Sequence, residues 1–199
     1  MPKLVDHKER RRELCEVAAG LVARGGLEAA TIREIAAHSG YSKGVVEHYF
    51  ESKQVLVSDV LAWANQCYVK RAAAATAGMS GLVALHRRVE ATLPVDTATR
   101  DEWKIRLVFW SMAAIHPALR RQQGRRLEQT VGLFRDDLDA AVSAQEMPAA
   151  ADTAERARHL FNLVTGICTA ALHAPRYYTP ARMRLETDYI MDRLRAGAI

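Results

Sequence analysis

Within the stretch "SGYSKGVVEHYFESK" (Ser39 to Lys53), Lys43, Tyr49 and Lys53 put two ammonium groups and a phenol close together among the small residues Ser39, Gly40, Ser42 and Gly44. These groups are hydrogen-bond donors, suited to holding an anion or the acceptor edge of a base. Nothing beside them makes or breaks a covalent bond. The chain has no G-x-S-x-G, no phosphate-cradling glycine loop and no paired carboxylates on a common helix face with a basic partner, so it reads as a binding protein and not an enzyme. His86, His116 and His173 form no i, i+4 pair, and Cys15, Cys67 and Cys168 are far apart. Neither a zinc site nor a disulfide framework fits that spacing, so no metal or cofactor is expected, and the cysteines read as free thiols in a reducing compartment.

The elements that must position these donors are helical. Leu14, Val17, Ala18, Leu21 and Val22 repeat at helical spacing, and Gly25-Gly26 ends that helix. Thr31-Ile-Arg-Glu34 has the T-x-x-E form of a capping box and opens a second helix, buried through Ile32, Ile35 and Ala36 and closed by Gly40. Ser42 can cap a short third helix with Val46, Tyr49 and Phe50 spaced to lie on adjoining faces, and Ser52 a fourth with Leu56, Val60, Trp63 and Cys67 in line. Further helices are expected over Gly78 to Pro94 (Leu82, Leu85, Val89) and over Asp101 to Ile115, which is apolar on two faces and therefore buried. His116-Pro117 breaks the latter. Leu127, Val131, Phe134 and Leu138 mark the next helix, Leu160 to Ala171 another closed by Pro175, and Met183, Ile190 and Leu194 the last, from about Pro180. No strand and no internal repeat is expected: the fold class is all-α.

The whole-chain properties agree with that reading. The 199 residues (22.1 kDa) are 49% hydrophobic and 26% charged, enough for a real core, with a formal charge of +5 and a pI near 9.3. The balance permits a nucleic-acid partner without requiring one. The charged start "MPKLVDHKERRREL" lacks the apolar run of a signal peptide, and no stretch has the length of a membrane span. A cytoplasmic location without membrane contact is expected.

Two short helices joined at Gly40, behind a longer helix able to cover them, make a helix-turn-helix, whose second helix enters the DNA major groove. The helix starts at Thr31, Ser42 and Ser52 offer free amides to phosphate. Lys43 can reach a base edge or a phosphate, Gly44 lets the backbone approach, Tyr49 offers its hydroxyl while its ring packs inward, and Lys53 adds a point charge. Overall charge contributes little: from Met1 to Lys53 there are nine Lys/Arg against eight Asp/Glu. The basic footprint must come from placement, chiefly "KERRR" at residues 8–12.

At these residues, "ATIREIAAHSGYSKGVVEHYFESKQVLV" resembles the DNA-binding domain of TetR-type transcriptional regulators, over about Lys8 to Tyr68. Thr31, Ile35-Ala36, Gly40, Ser42, Gly44, Tyr49-Phe50 and Lys53 all stand in register. The resemblance implies an N-terminal three-helix helix-turn-helix domain (8–68) followed by a helical ligand-binding and dimerisation domain (69–199). It puts Arg33, Lys43, Gly44, Val45 and His48 near bases, and Thr31, Ser42, Tyr49 and Lys53 on phosphates. Many members have a tyrosine where this chain has Glu47, and an acid there cannot help with phosphate. The form "GVVEHYF" is closer to the choline-responsive BetI-like subgroup, as is "LPVDTATRDEWKIRLVFWSMAAIHPALRR".

The resemblance further implies a homodimer through the last two long helices, near Thr153 to His173 and Pro180 to Arg195, with Gly166 allowing close approach. The partners are then a double-stranded DNA operator, a second copy and an unidentified small-molecule effector. Trp63, Cys67, Trp103, Phe109, Trp110 and Met112 are the candidate cavity lining, and tryptophans suit a quaternary ammonium. "RRQQGRR" (Arg120 to Arg126) reads as a solvated face. The leading expectation is a ligand-released dimeric repressor; the alternative is a DNA-associated interaction protein of the same fold without ligand control.

Overall fold

Cap residues and glycines set the helix ends in the computed structural model, which describes residues 7–148 and 152–198. α1 (His7–Gly25) stops where Gly26 takes a φ of 72°, and a 3-10 turn (Leu27–Ala29) follows. The hydroxyl of Thr31 accepts from the Glu34 amide (3.1 Å) to open α2 (Ile32–Ser39), and Gly40, at φ 73°, ends it. Ser42 accepts from the Val45 amide (3.4 Å) at the head of α3 (Lys43–Tyr49). Ser52 does the same for α4 (Lys53–Thr76) through Val55 (3.2 Å). Then come α5 (Gly81–Glu90), α6 (Thr97–Ile115), α7 (Pro117–Ser143), α8 (Thr153–His173) and α9 (Pro180–Arg195). The described residues contain helices and no strand.

Two helices extend beyond their apolar signal. α6 begins at Thr97, before Asp101, because Asp96 and Thr99 cap each other: the Thr99 amide donates to Asp96 Oδ1 (2.8 Å) and the Asp96 amide to the Thr99 hydroxyl (3.1 Å). The Thr99 amide and hydroxyl, both donating to Oδ1, hold the Asp96 carboxyl below the usual range. α7 begins at Pro117, ten residues before Leu127. The proline that ends α6 opens α7 at its first position, where the missing N–H costs nothing.

The described chain divides into two compact units, one of residues up to Cys67 with Asp101–Met112, the other of Tyr68–Arg100 with Ala113–Ile199. In the first, α1 packs on α2 and α2 on α3, around Leu14, Ala18, Ile35, Val46 and Leu61, each 1% exposed or less. In the second, α5 packs on α7 and α9, and α7 on α8. Leu85, Val89, Phe134, Leu138, Leu160, Cys168, Met183 and Leu194 fill its interior. Inside it, Arg88 of α5 meets Asp137 of α7 through two bonds, Nε to Oδ2 (2.7 Å) and a second guanidinium nitrogen to Oδ1 (3.2 Å). The head of α5 is capped from far along the chain, with the Leu82 amide donating to Glu146 Oε2 (2.7 Å). Gly81, at φ 64°, takes a conformation that residues with a Cβ rarely adopt, and the Glu146 carboxylate lies where that Cβ would stand.

Candidate nucleic-acid interface

α3 has one closed side and one open side. Val46 (0% exposed) and Tyr49 (7%) are buried with Phe50, and Val45 is half-buried, while Lys43, Gly44, Glu47 and His48 are exposed. The open residues fall at i, i+1, i+4 and i+5, a single stripe along the helix. A Cβ added at Gly44 would meet no atom within 4 Å, so the backbone there is open to close approach. Thr31 and Arg33, at the start of α2, are also exposed.

The donors are already partnered inside the unit. Lys43 Nζ lies 3.1 Å from Glu47 Oε1, and Lys53 Nζ 2.5 Å from Glu28 Oε1. The Tyr49 hydroxyl is hydrogen-bonded to Nδ1 of His7 (2.9 Å), and the His48 ring stands edge-on to the Tyr49 ring at 5.3 Å. Glu47 and Lys53 also border one groove with Thr31, Ile32 and Phe50. Sequence reasoning placed the cations but missed Glu28 and His7. Those partners stand 25 and 42 residues away, beyond any local pattern.

The "KERRR" run, expected as the chief basic footprint, is largely engaged within the unit. Arg11 pairs with Asp59 of α4 (2.6 Å), Arg12 with Glu9 and Glu16, and Arg10 lies over the Tyr41 ring at 5.0 Å. The Tyr41 hydroxyl donates to Glu13 (2.6 Å), which holds the phenol above its ordinary range. Cys15 beneath this network is a free thiol that burial pushes up to about 12, aided by Asp59.

The candidate cavity residues lie in the same unit. Trp103 (3% exposed) and Trp110 meet edge to face with centroids 5.7 Å apart. Arg106 lies over the Trp103 ring at 5.2 Å and 3.6 Å from Glu102; both side chains are nearly buried. Phe109 (1% exposed) lies with Ile105 and Val108 against Val22, Val57 and Leu61, as packed core. Trp63 borders a groove between α1 and α4 with Lys8, Arg11, Cys15 and Asp59. Cys67 and Met112 are half-buried.

A capped helix-turn-helix with an open donor stripe, followed by a helical second unit, defines a DNA-binding regulator, and the chain belongs to the TetR family of bacterial regulatory proteins, whose model matches residues 14–60. The BetI-type transcriptional repressor C-terminal model matches residues 82–196. The HTH-type transcriptional regulator BetI of Burkholderia mallei (strain NCTC 10229) is 31% identical over 209 residues, covering 100% of both chains. That of Paraburkholderia phymatum is 30% identical over 200 residues, 96% of this chain and 95% of the relative. Among solved structures, a transcriptional regulator from Saccharomonospora viridis in complex with choline has the same fold (TM-score 0.85, 24% identity, 94% of this chain and 97% of that one). So does a transcriptional regulator from Rhodococcus sp. RHA1 (TM-score 0.80, 24% identity, 95% and 98%). The protein is a transcriptional regulator of BetI type and not an enzyme. No helix among the described residues is long and apolar enough to cross a membrane.

Proposed function

We propose that this regulator is a homodimeric repressor that grips a roughly palindromic operator with two copies of α3 and releases it when a small molecule binds. The observation that carries the reading is the open stripe of α3, with its donors outward and its apolar side closed in the core. A two-fold dimer offers two such stripes to two half-sites. In that pose Arg33, Lys43, Gly44, Val45 and His48 approach bases, and Thr31, Ser42, Tyr49 and Lys53 hold phosphates, which fix position without reading sequence. The second copy is supported by α8 and α9. Leu163 (42% exposed) and Gly166 stand one turn apart on α8, and Leu185 (57%) and Tyr189 (62%) one turn apart on α9. Large apolar side chains in rows suit burial by a partner, and the open space at Gly166 leaves room for a helix.

The test is binding to a mapped operator, followed by fluorescence anisotropy. Lys43→Ala removes one contact and keeps the fold. Tyr49→Phe weakens binding to all sequences alike, by about 1 kcal/mol for one hydrogen bond. Wild-type affinity in both variants would place the recognition helix elsewhere.

The effector in this reading is an apolar or cationic molecule held near Trp63, Cys67, Trp103, Phe109, Trp110 and Met112. The choline bound by the Saccharomonospora neighbour supports a cation. α4 is the lever, since it carries Lys53 at its first residue and Trp63 in the middle of the same helix. Each tenfold loss of operator affinity requires the effector to favour the released form by about 1.4 kcal/mol. Choline, as the first probe, should quench tryptophan fluorescence and free DNA. Trp110→Ala should bind operator nearly as wild type but blunt the release. If Trp63→Ala and Trp110→Ala both release at the wild-type concentration, the effector sits elsewhere.

A further inference from the structure

We infer that Glu47 is a base-reading residue, and that Lys43 and Glu47 together recognise one G·C pair in each half-site. The inference rests on the operator reading above and adds to it a residue and the base pair that it selects.

Glu47 stands in the open stripe of α3, half-exposed, and its carboxylate pairs with the likewise exposed Lys43. A carboxylate facing a duplex is repelled by the phosphates on both sides. It gains there only by accepting a hydrogen bond from a base. In the major groove the donors are the exocyclic amines, N4 of cytosine and N6 of adenine, and the usual acidic partner is cytosine N4. Glu47 also lies one turn after Lys43, whose ammonium is a donor for guanine O6 and N7.

The spacing of the two side chains favours a single G·C pair. Lys43 Nζ and Glu47 Oε1 are 3.1 Å apart. On the major-groove edge of G·C, guanine O6 and cytosine N4 are hydrogen-bonded to each other and so stand about 2.9 Å apart. An ammonium on O6 and N7 and a carboxylate on N4 therefore satisfy all three polar groups of that edge while the ion pair stays nearly as it is. An A·T edge offers its donor between two acceptors and adds the thymine methyl, against which an ion pair loses water without a new bond. Gly44, between the two residues and open at its Cβ position, lets the helix come close enough for a carboxylate of two methylenes to reach the base.

The test is selection of bound duplexes from a pool with a randomised core, using the full-length protein. The wild type should enrich two inverted half-sites, each with one position fixed as G·C. Glu47→Ala should lower the G·C preference at that position by about tenfold to a hundredfold and leave the other positions as they were. Glu47→Gln should turn the same position towards A·T, because an amide pairs with adenine N6 and N7. Both side chains are solvent-exposed replacements, and unchanged thermal melting confirms that the fold is kept. An unchanged motif in both variants, or an equal loss of affinity for every sequence, overturns the role of Glu47 and leaves the operator reading standing. A wild-type protein that enriches no motif overturns both.

Discussion

Replacing Asp137 by alanine should cost about 3–5 kcal/mol of stability, because it leaves the Arg88 guanidinium inside the second unit without its counter-charge. The two side chains are 12% and 11% exposed, too little for water to take the place of the lost carboxylate. The bonds from Asp137 raise the Arg88 pKa against the opposing effect of burial, so the arginine stays charged and the penalty cannot be avoided by losing a proton. For a chain of this size the loss corresponds to a fall of roughly 10 °C in melting temperature. The double replacement Arg88→Met with Asp137→Leu removes both charges and should restore most of the stability. Urea and thermal unfolding of the three proteins would check this. An Asp137→Ala variant as stable as wild type would mean that the pair contributes no more than an exposed one.

Operator affinity should fall about tenfold between 50 and 200 mM salt. If Lys53 of each protomer displaces counterions from the duplex, while Lys43 stays paired with Glu47 at the bases, the dimer has two such cations and a log–log slope of about −1.8. Lys53 leaves the Glu28 carboxylate when it meets DNA. Glu28→Gln should therefore raise affinity for any duplex by freeing Lys53, while preserving the slope. A slope near zero would show that no phosphate is engaged, whatever the sequence preference.

Much of the DNA-facing unit is legible in the sequence because short-range chemistry decides it. Thr31, Ser42 and Ser52 each cap the helix that they precede, and Gly40 takes the left-handed conformation that ends α2. An apolar repeat, however, sees only a helix with a buried side. The first turns of α7, through "RRQQGRR", are mostly solvated, so the repeat begins at Leu127 although the helix begins at Pro117. The start of α6 was hidden for a different reason, since its cap is the Asp96–Thr99 exchange ahead of the apolar run. At the interface, the exposed residues of α3 follow from helical spacing. Their pairing does not: Lys53 with Glu28 and Tyr49 with His7 depend on tertiary folding. Glu47 stands out in the sequence as an acid unsuited to phosphate, and its value to a base becomes visible only beside Lys43.

The distant cap on α5 has a consequence for the order in which the protein is made. As α5 leaves the ribosome, Arg71 of α4 is already there to hold the Ala91 carbonyl at its end (2.8 Å), but its other supports named above are not. Arg88 waits for Asp137, the Leu82 amide for Glu146, and the face that includes Leu82 and Leu85 for α7 and α9. About a hundred residues separate Glu90 from the end of α9, or about 5–20 s of synthesis at typical rates. For that interval a ten-residue amphipathic segment is an exposed greasy surface on a nascent chain, open to chaperones and to neighbouring polysomes. α1, α2 and α3, which meet within the first quarter of the chain, have no such wait.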